Sequence, residues 1–268
     1  MIDFTGRVAI VTGAAQGVGA DIAQALCNAG ARVVAADVQV PQWDHAHAVF
    51  QKTDLTRDED IAACVGATRD HFGRLDILVN CAVTYVDHGL ESSRADWMRT
   101  LNVNLIGPAL LTAKAAEALT SPGGVVVNIG SVGGKVGAAE RALYPASKAA
   151  LLQFTRNAAV TLAPRGIRVL SVSPGWTWSP TLERLAHTQS WADKVGGALH
   201  PLGRVGRGAD VANAVLFACS SLAGFITGTD IAVDGGFTAL GPDVGKGPRG
   251  WFVEEKPPAA EPPPAEPG

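Results

Sequence analysis

Short apolar runs alternate with longer amphipathic stretches along most of the chain. Seven runs are rich in β-branched residues and almost continuously hydrophobic, as expected for strands buried on both faces. They lie at residues 7–12, 32–37, 48–54, 75–80, 124–131, 167–174 and 230–236. The stretches between them predict helices at 17–29, 56–72, 94–119, 145–163 and 208–221. This alternation predicts an α/β fold, a doubly wound parallel sheet of seven strands with helices on both faces.

The character of the chain changes near residue 241. Half of the 16 prolines fall in the last 28 residues, which end in "EEKPPAAEPPPAEPG". Such a segment cannot bury enough apolar surface to fold by itself. We therefore predict one folded domain over residues 1–241 and a disordered tail over 242–268. A proline-rich docking peptide is the alternative interpretation of the tail.

Charge and composition exclude several classes of function. The formal net charge is −3 and no basic cluster occurs, so neither nucleic acid nor a membrane surface is a predicted partner. No run of 18 apolar residues exists, and the N-terminus leads directly into a strand rather than a signal peptide. The four cysteines and six histidines show no metal-ligand spacing, so we predict reduced thiols, no metal and a cytoplasmic location.

A glycine-rich turn joins the first predicted strand to the first predicted helix. Gly13, Gly17 and Gly19 lie in "TGAAQGVG", and Gln16 and Val18 flank the middle glycine. Glycines at this point allow a tight turn and let the backbone approach a pyrophosphate at the helix N-terminus. Turns of this kind also occur without a ligand, so the motif alone leaves both interpretations open.

Asp37 ends the second predicted strand, 24 residues after Gly13. A carboxylate there can accept hydrogen bonds from the ribose hydroxyls of adenosine and would repel a 2′-phosphate. No arginine stands in the turn to bind such a phosphate. The pattern therefore predicts NAD rather than NADP, although a plain turn residue at a strand end remains the alternative.

The stretch "SVGGKVGAAERALYPASK" contains three residues that could share one proton. Ser131 ends a predicted strand, and Tyr144 and Lys148 are spaced i and i+4 on one helical face. A neighbouring cation favours phenolate, and the oxidised nicotinamide adds a second positive charge, so we expect Lys148 and the cofactor together to bring the pKa of Tyr144 towards the operating pH. Ser131 would then hold a substrate oxygen against Tyr144.

Together these motifs resemble the short-chain dehydrogenase/reductase family over roughly residues 4–240. The turn resembles its TGxxxGxG, "YPASK" its YxxxK, and "FITGTDIAVDGG" its C-terminal strand. The resemblance implies a Rossmann-like fold. It also implies a catalytic set of Asn104, Ser131, Tyr144 and Lys148, with Asn104 holding a water that links Lys148 to solvent. In "NCAV", Cys81 and Val83 stand where Asn and Gly are usual in the family.

The resemblance also implies a set of cofactor contacts. These are Gly13, Gln16, Gly17, Val18, Gly19, Asp37, Asp54, Leu55, Asn80, Tyr144, Lys148, Pro174, Gly175 and Thr177. After Pro174-Gly175 the family forms a lid over the substrate. Trp176, Trp178 and Trp191 fall within it and either line an aromatic pocket or anchor the lid.

We therefore predict an NAD(H)-dependent oxidoreductase that transfers a hydride between nicotinamide and a secondary alcohol or ketone, the substrate being cyclic or aromatic. A cis-dihydrodiol or cyclic polyol dehydrogenase is one alternative. A non-catalytic nucleotide-binding scaffold is another, although it would need no general acid. Broad apolar bands on helices 94–119 and 145–163 predict that a second copy of the chain covers them, and the resemblance implies a homotetramer, with a homodimer as the alternative.

Overall fold

A computed structural model describes residues 2–241 and 244–248. Its seven strands form one parallel sheet with the order β3-β2-β1-β4-β5-β6-β7, which confirms the predicted fold. The strands are β1 Val8–Thr12, β2 Arg32–Asp37, β3 Ala48–Lys52, β4 Ile77–Asn80, β5 Val125–Ile129, β6 Arg168–Pro174 and β7 Asp230–Val233. Most of the predicted tail, residues 242–268, lies outside the described residues.

Helices cover both faces of the sheet. They are α1 Gly17–Asn28, α2 Asp58–Phe72, α3 Arg94–Leu101, α4 Gly107–Ala118, α5 Leu143–Leu162, α6 Pro180–Ala186, α7 Gln189–Gly197 and α8 Gly208–Cys219. Successive strand residues belong to different cores: Ala9 and Val11 pack with α1 and α8, whereas Ile10 packs with α2, α4 and α5. This alternation explains why the central strands are almost continuously apolar.

The predicted helix 94–119 is not a regular α-helix. A π-helical segment, Asn102–Ile106, separates α3 from α4, and the N–H of Gly107 bonds to the carbonyl of Asn102. Pro108 supplies the physical reason, because it has no N–H to donate to the carbonyl of Asn104 four residues earlier. The widened turn contains Asn104, and π-helical turns of this kind are frequent at functional sites.

Two further elements differ from the prediction. Helix α5 begins at Leu143 rather than at residue 145, so Tyr144 lies inside its first turn. The segment after β6 contains two short helices, α6 and α7, which the apolar pattern did not indicate. In the described part of the chain, no helix has both the length and the hydrophobicity needed to cross a membrane.

Candidate active site

A cleft of about 1030 Å³ opens at the carboxyl ends of the strands, where doubly wound sheets bind their ligands. Most of the residues predicted for the site line it. They are Gly13, Gln16, Gly17, Val18, Gly19, Asp37, Asp54, Leu55, Ser131, Tyr144, Lys148, Pro174, Gly175 and Thr177. Asn80 and Asn104 do not, because both side chains are buried beneath the cleft. The fold thus brings together segments separated by more than 100 residues in sequence.

Close packing explains two of the glycines in the turn. A Cβ on Gly13 would come within 2.7 Å of the Cα of Ala82, and Gly13 has a φ of +67°. A Cβ on Gly19 would collide with the carbonyl of Gly13. The absence of side chains therefore allows α1 and the segment after β4 to pack directly against the turn.

Helix α1 begins at the cleft without a side-chain cap. Gln16 stands at the N-cap with extended backbone, its side chain makes no capping bond, and the first turn contains no acidic residue. The first N–H groups of a helix need external acceptors and carry partial positive charge. This end of α1 therefore suits an anion such as a pyrophosphate.

Asp37, the last residue of β2, is hydrogen-bonded to the glycine-rich turn. Its Oδ2 accepts the N–H of Ala15 and its Oδ1 accepts the N–H of Gln39, both at 2.9 Å. The carboxylate is therefore fixed beside the turn while it lines the cleft. Further along the cleft, hydrogen bonds from Thr56 hold the pKa of Asp54 below its ordinary value.

Ser131, Tyr144 and Lys148 meet at one end of the cleft. Strand β5 ends at Ile129, so Ser131 lies just beyond the strand rather than within it, and its Oγ accepts the N–H of Gly133 at 3.0 Å. The Nζ of Lys148 donates to the carbonyl of Ile129 at 2.7 Å and lies 5.8 Å from the centre of the Tyr144 ring. The end of β5 thus positions both Ser131 and Lys148.

Burial governs the protonation of the two central groups. It lowers the pKa of Lys148 from 10.5 to about 8. It also raises the pKa of Tyr144, against opposing effects of hydrogen bonding with Ser131, the charge of Arg141 and hydrogen bonding with Tyr85. In the protein alone, desolvation of the phenol is the larger effect, and the expected joint effect of Lys148 and the oxidised nicotinamide stays a prediction.

Asn104 ties two segments of the site together. Its side chain accepts the N–H of Thr84 at 2.8 Å and donates to the carbonyl of Thr84 and to the Oγ of Ser147, both at 3.1 Å. Ser147 in turn donates to the carbonyl of Tyr144 at 2.7 Å. The water-holding role of Asn104 stays a prediction.

Asn80 joins β4 to its neighbours below the cleft. Its amide nitrogen donates to Thr112 at 3.0 Å and to Asn128 at 2.8 Å. These bonds hold the end of β4 in place. Asn80 is only 2 % exposed, so the surrounding packing separates its side chain from a cofactor bound in the cleft.

The segment from Pro174 to Arg207 covers one side of the cleft through α6. Its lining residues are Pro174, Gly175, Thr177, Ser179, Pro180, Thr181 and Arg184, and none of the three tryptophans is among them. Trp176 instead packs against buried His200, whose Nε2 accepts the Trp176 N–H at 3.2 Å. The anchoring interpretation therefore fits Trp176, and the aromatic-pocket interpretation is wrong for this arrangement. Trp191 is half-exposed beside Lys194.

Two residues near Tyr144 were missed in the sequence. Tyr85 stacks on the Tyr144 ring, and Asp87 binds the backbone N–H groups of Ala142 and Tyr144. Their distance in sequence from "YPASK" concealed both contacts. In the sequence, the only feature that could have pointed to a role for Tyr85 is that the chain contains just two tyrosines. Over residues 2–241 and 244–248, no three His, Cys, Asp or Glu side chains group as metal ligands would.

Comparisons with known proteins agree with this geometry. A family profile described as Enoyl-(Acyl carrier protein) reductase matches residues 13–238. A cis-4-hydroxycyclohexanecarboxylate dehydrogenase of Sinomonas cyclohexanicum is 38% identical over 88% of this chain and 98% of its own. An L-fucose dehydrogenase of Oryctolagus cuniculus is 36% identical over 93% of this chain and 89% of its own.

A solved structure shares the same architecture. The ligand-free aldohexose dehydrogenase of Thermoplasma acidophilum superimposes with a TM-score of 0.83 at 28% identity, over 89% of this chain and 96% of its own. The profile and these relatives span nearly the whole described domain. The chain belongs to the short-chain dehydrogenase/reductase family of oxidoreductases.

Proposed function

We propose that this protein is an NAD(H)-dependent dehydrogenase that interconverts a secondary alcohol and a ketone, with Tyr144 as general acid and base. The observation that carries the proposal is that Ser131, Tyr144 and Lys148 line the same cleft as Asp37 and the uncapped N-terminus of α1. A cleft of this size can hold a dinucleotide together with a small substrate.

The lining of the cleft fits a nicotinamide dinucleotide from end to end. The α1 N-terminus suits the pyrophosphate, Asp37 suits the diol of the adenosine ribose, and Asp54 and Leu55, which also line the cleft, would lie beside the adenine. Lys148 would bind the nicotinamide ribose. When bound, the nicotinamide ring supplies the acceptor or donor of a hydride. The fixed carboxylate of Asp37 favours NAD over NADP, because it would repel a 2′-phosphate.

The protein's own residues would handle the proton. Ser131 would donate a hydrogen bond to the substrate oxygen and hold it beside the Tyr144 hydroxyl. In alcohol oxidation the Tyr144 phenolate removes the hydroxyl proton, and in ketone reduction the phenol returns one. The raised pKa of Tyr144 in the protein alone implies that oxidation is favoured at alkaline pH.

The relatives favour a cyclic substrate with a ring hydroxyl. Their names specify a hydroxycyclohexanecarboxylate, L-fucose and an aldohexose. We therefore infer a cyclic secondary alcohol for this protein, which favours the cyclic polyol alternative over an acyclic alcohol.

A substrate panel tests the proposal. We would follow nicotinamide absorbance with cis-4-hydroxycyclohexanecarboxylate, L-fucose, an aldohexose, cyclohexanol and an acyclic secondary alcohol, each with NAD and with NADP. Tyr144→Phe should retain NADH binding but lose at least about 100-fold in kcat, the scale of one general acid–base group. Activity of this variant within a few-fold of wild type would reject the role of Tyr144.

We also propose a homotetramer located in the cytoplasm. Leu111, Leu152 and Ala158 are buried within the chain, but Met98, Ile106, Leu110 and Val160 remain well exposed on the helical segments 94–118 and α5. Pairing these helices with a second copy would cover them. The four cysteines are free and buried, which suits a reducing compartment.

A further inference from the structure

The two tyrosines of the chain lie face to face in the cleft. The ring centres of Tyr85 and Tyr144 are 5.0 Å apart with an angle of 27° between the planes. Both residues line the cleft, although they are 59 positions apart in sequence. Offset stacking of this kind restricts the rotation of each ring. The position of the Tyr144 hydroxyl therefore depends on Tyr85.

Their hydroxyl groups have unequal roles. Interaction with Tyr85 lowers the pKa of Tyr144, whereas desolvation within the cleft, where Tyr85 is still 46 % exposed, and the proximity of Tyr144 both raise the pKa of Tyr85. The stacked rings bring the two phenols together, and a Tyr85 that keeps its proton could donate a hydrogen bond to the oxygen of Tyr144. A donated hydrogen bond stabilises the phenolate more than the phenol.

The backbone on both sides of Tyr85 is anchored. The amide of Asn104 binds both the N–H and the carbonyl of Thr84. The carboxylate of Asp87 binds backbone N–H groups at the start of α5. Tyr85 thus stands on a short segment held at both ends against the helix that carries Tyr144, so its stacked position is built into the fold.

We propose that Tyr85 is a positioning residue for Tyr144, holding the ring by stacking and orienting its oxygen towards Ser131 with a donated hydrogen bond. The proposal rests on the proposed function, in which Tyr144 exchanges the proton of the substrate. Other groups that act on Tyr144 are Arg141 before α5, Lys148 on α5 and Cys81 after β4. Arg141, Lys148 and Cys81 have no aromatic ring, so none of them stacks on the Tyr144 ring as Tyr85 does.

The sign of the pH effect follows from the donor role. In alcohol oxidation the active form is the Tyr144 phenolate, which is present above its pKa. Tyr85→Phe keeps the stack but removes the donor, so the pKa of Tyr144 should rise. The rising limb of kcat/KM should move to higher pH, with a loss of roughly tenfold at neutral pH, the effect of one charge-assisted hydrogen bond. The rates should converge towards wild type at alkaline pH.

Two variants separate the hydroxyl from the ring. Tyr85→Phe should shift the pH profile while leaving the alkaline plateau and NADH affinity unchanged. Tyr85→Leu should also lower the plateau, because it removes the stack. Leu90→Ala is the matched control, since Leu90 lies in the same loop with a side chain that is 99% exposed. Melting temperature and NADH binding would verify that each variant is folded.

Direct titration of the phenols gives a readout that is independent of activity. Each single variant leaves one tyrosine, so tyrosinate absorbance in Tyr85→Phe reports Tyr144 alone, and in Tyr144→Phe it reports Tyr85 alone. We expect Tyr144 to ionise at higher pH in Tyr85→Phe than the first phenol of the wild type does. Tyr85 should ionise at lower pH in Tyr144→Phe than the second phenol of the wild type does.

Superimposable pH profiles for wild type and Tyr85→Phe, with the first phenol ionising at the same pH in both and an unchanged plateau for Tyr85→Leu, would overturn the proposal. That result would leave the proposed function intact as long as Tyr144→Phe is inactive. Full activity of Tyr144→Phe would instead reject the proposed function, whatever Tyr85 does.

Discussion

The carboxylate of Asp87 accepts the backbone N–H of Tyr144 at 2.9 Å. It also accepts the N–H of Ala142, and the N-cap of α5 has no side-chain cap of its own. Asp87 therefore caps the helix that carries Tyr144 and Lys148 from a separate loop. Burial opposes its ionisation, but the N–H groups of Ala142, Tyr144, Gly89 and Leu143 outweigh burial and hold the pKa of Asp87 below its ordinary value.

Asp87→Ala should therefore misplace Tyr144 and destabilise the start of α5. We expect kcat to fall by about 10-fold or more and the free energy of unfolding by about 1–2 kcal/mol, the usual effect of losing a helix cap. NADH affinity should change little. Because the pKa is lowered on folding, this stabilisation is present above the ordinary carboxyl pKa and disappears as the pH falls through the folded value.

Kinetics and denaturant unfolding at neutral and acidic pH would check the Asp87 prediction. Asp70→Ala is a suitable control, since Asp70 is exposed on α2. Unchanged kcat and stability in Asp87→Ala would show that the start of α5 holds Tyr144 without this cap.

The choice of cofactor should depend on Asp37. We expect the wild type to prefer NAD over NADP by at least about 10-fold in kcat/KM, which corresponds to about 1.4 kcal/mol. Asp37→Asn and Asp37→Ser should reduce that ratio, because neither carries the charge that repels a 2′-phosphate. The control, Asp44→Ser, removes an exposed charge outside the cleft lining and should leave the ratio unchanged. Equal use of NAD and NADP by the wild type would contradict this role.

The buried charge of Lys148 should lower the free energy of unfolding when no cofactor is bound. Burial lowers its pKa from 10.5 to about 8, so the folded state binds fewer protons than the unfolded state between those values. This cost in folding free energy is fully present below about pH 8. It is relieved as the pH rises towards 10.5, the ordinary pKa that Lys148 has in the unfolded chain.

Lys148→Met should therefore abolish activity yet stabilise the protein by on the order of 1–3 kcal/mol at neutral pH, after the loss of its bond to Ile129 is included. The gain should shrink at pH 10, which thermal unfolding at the two pH values would measure. Lys114→Met, which removes an exposed lysine paired with Glu117, is the control. A variant less stable than wild type at neutral pH would show that the bond to Ile129 outweighs the cost of burial.

The exposed apolar side chains of α5 and of segment 94–118 should be covered by another copy of the chain. Light scattering at micromolar concentration should give about four times the mass of the 27.6 kDa chain. Val160→Glu should reduce that mass, because Val160 is 77% exposed and would place a charge in the interface. Val40→Glu, at another exposed apolar position near edge strand β3, should leave it unchanged. A wild type that is monomeric and fully active would reject the tetramer.

The apolar pattern alone was enough to predict the parallel sheet and the place of its cleft. Strands buried on both faces are apolar at most positions, so β1, β2, β4 and β5 are visible as nearly continuous runs. The glycine-rich turn, Asp37 and "YPASK" follow strands or begin helices, and parallel strands bring those ends to one edge of the sheet. For that reason, a one-dimensional pattern could predict residues that meet across more than 100 positions.

Only the tertiary structure determined the surroundings of Tyr144. Tyr85 and Asp87 reach it through a loop whose path has no periodic pattern, since backbone groups of this loop are bonded to side chains, including that of Asn104 in the π-helical turn. The pKa of Tyr144 depends on burial, which the sequence does not encode locally. Periodicity records which face of an element is buried, whereas the contacts between loops depend on how the elements are finally packed.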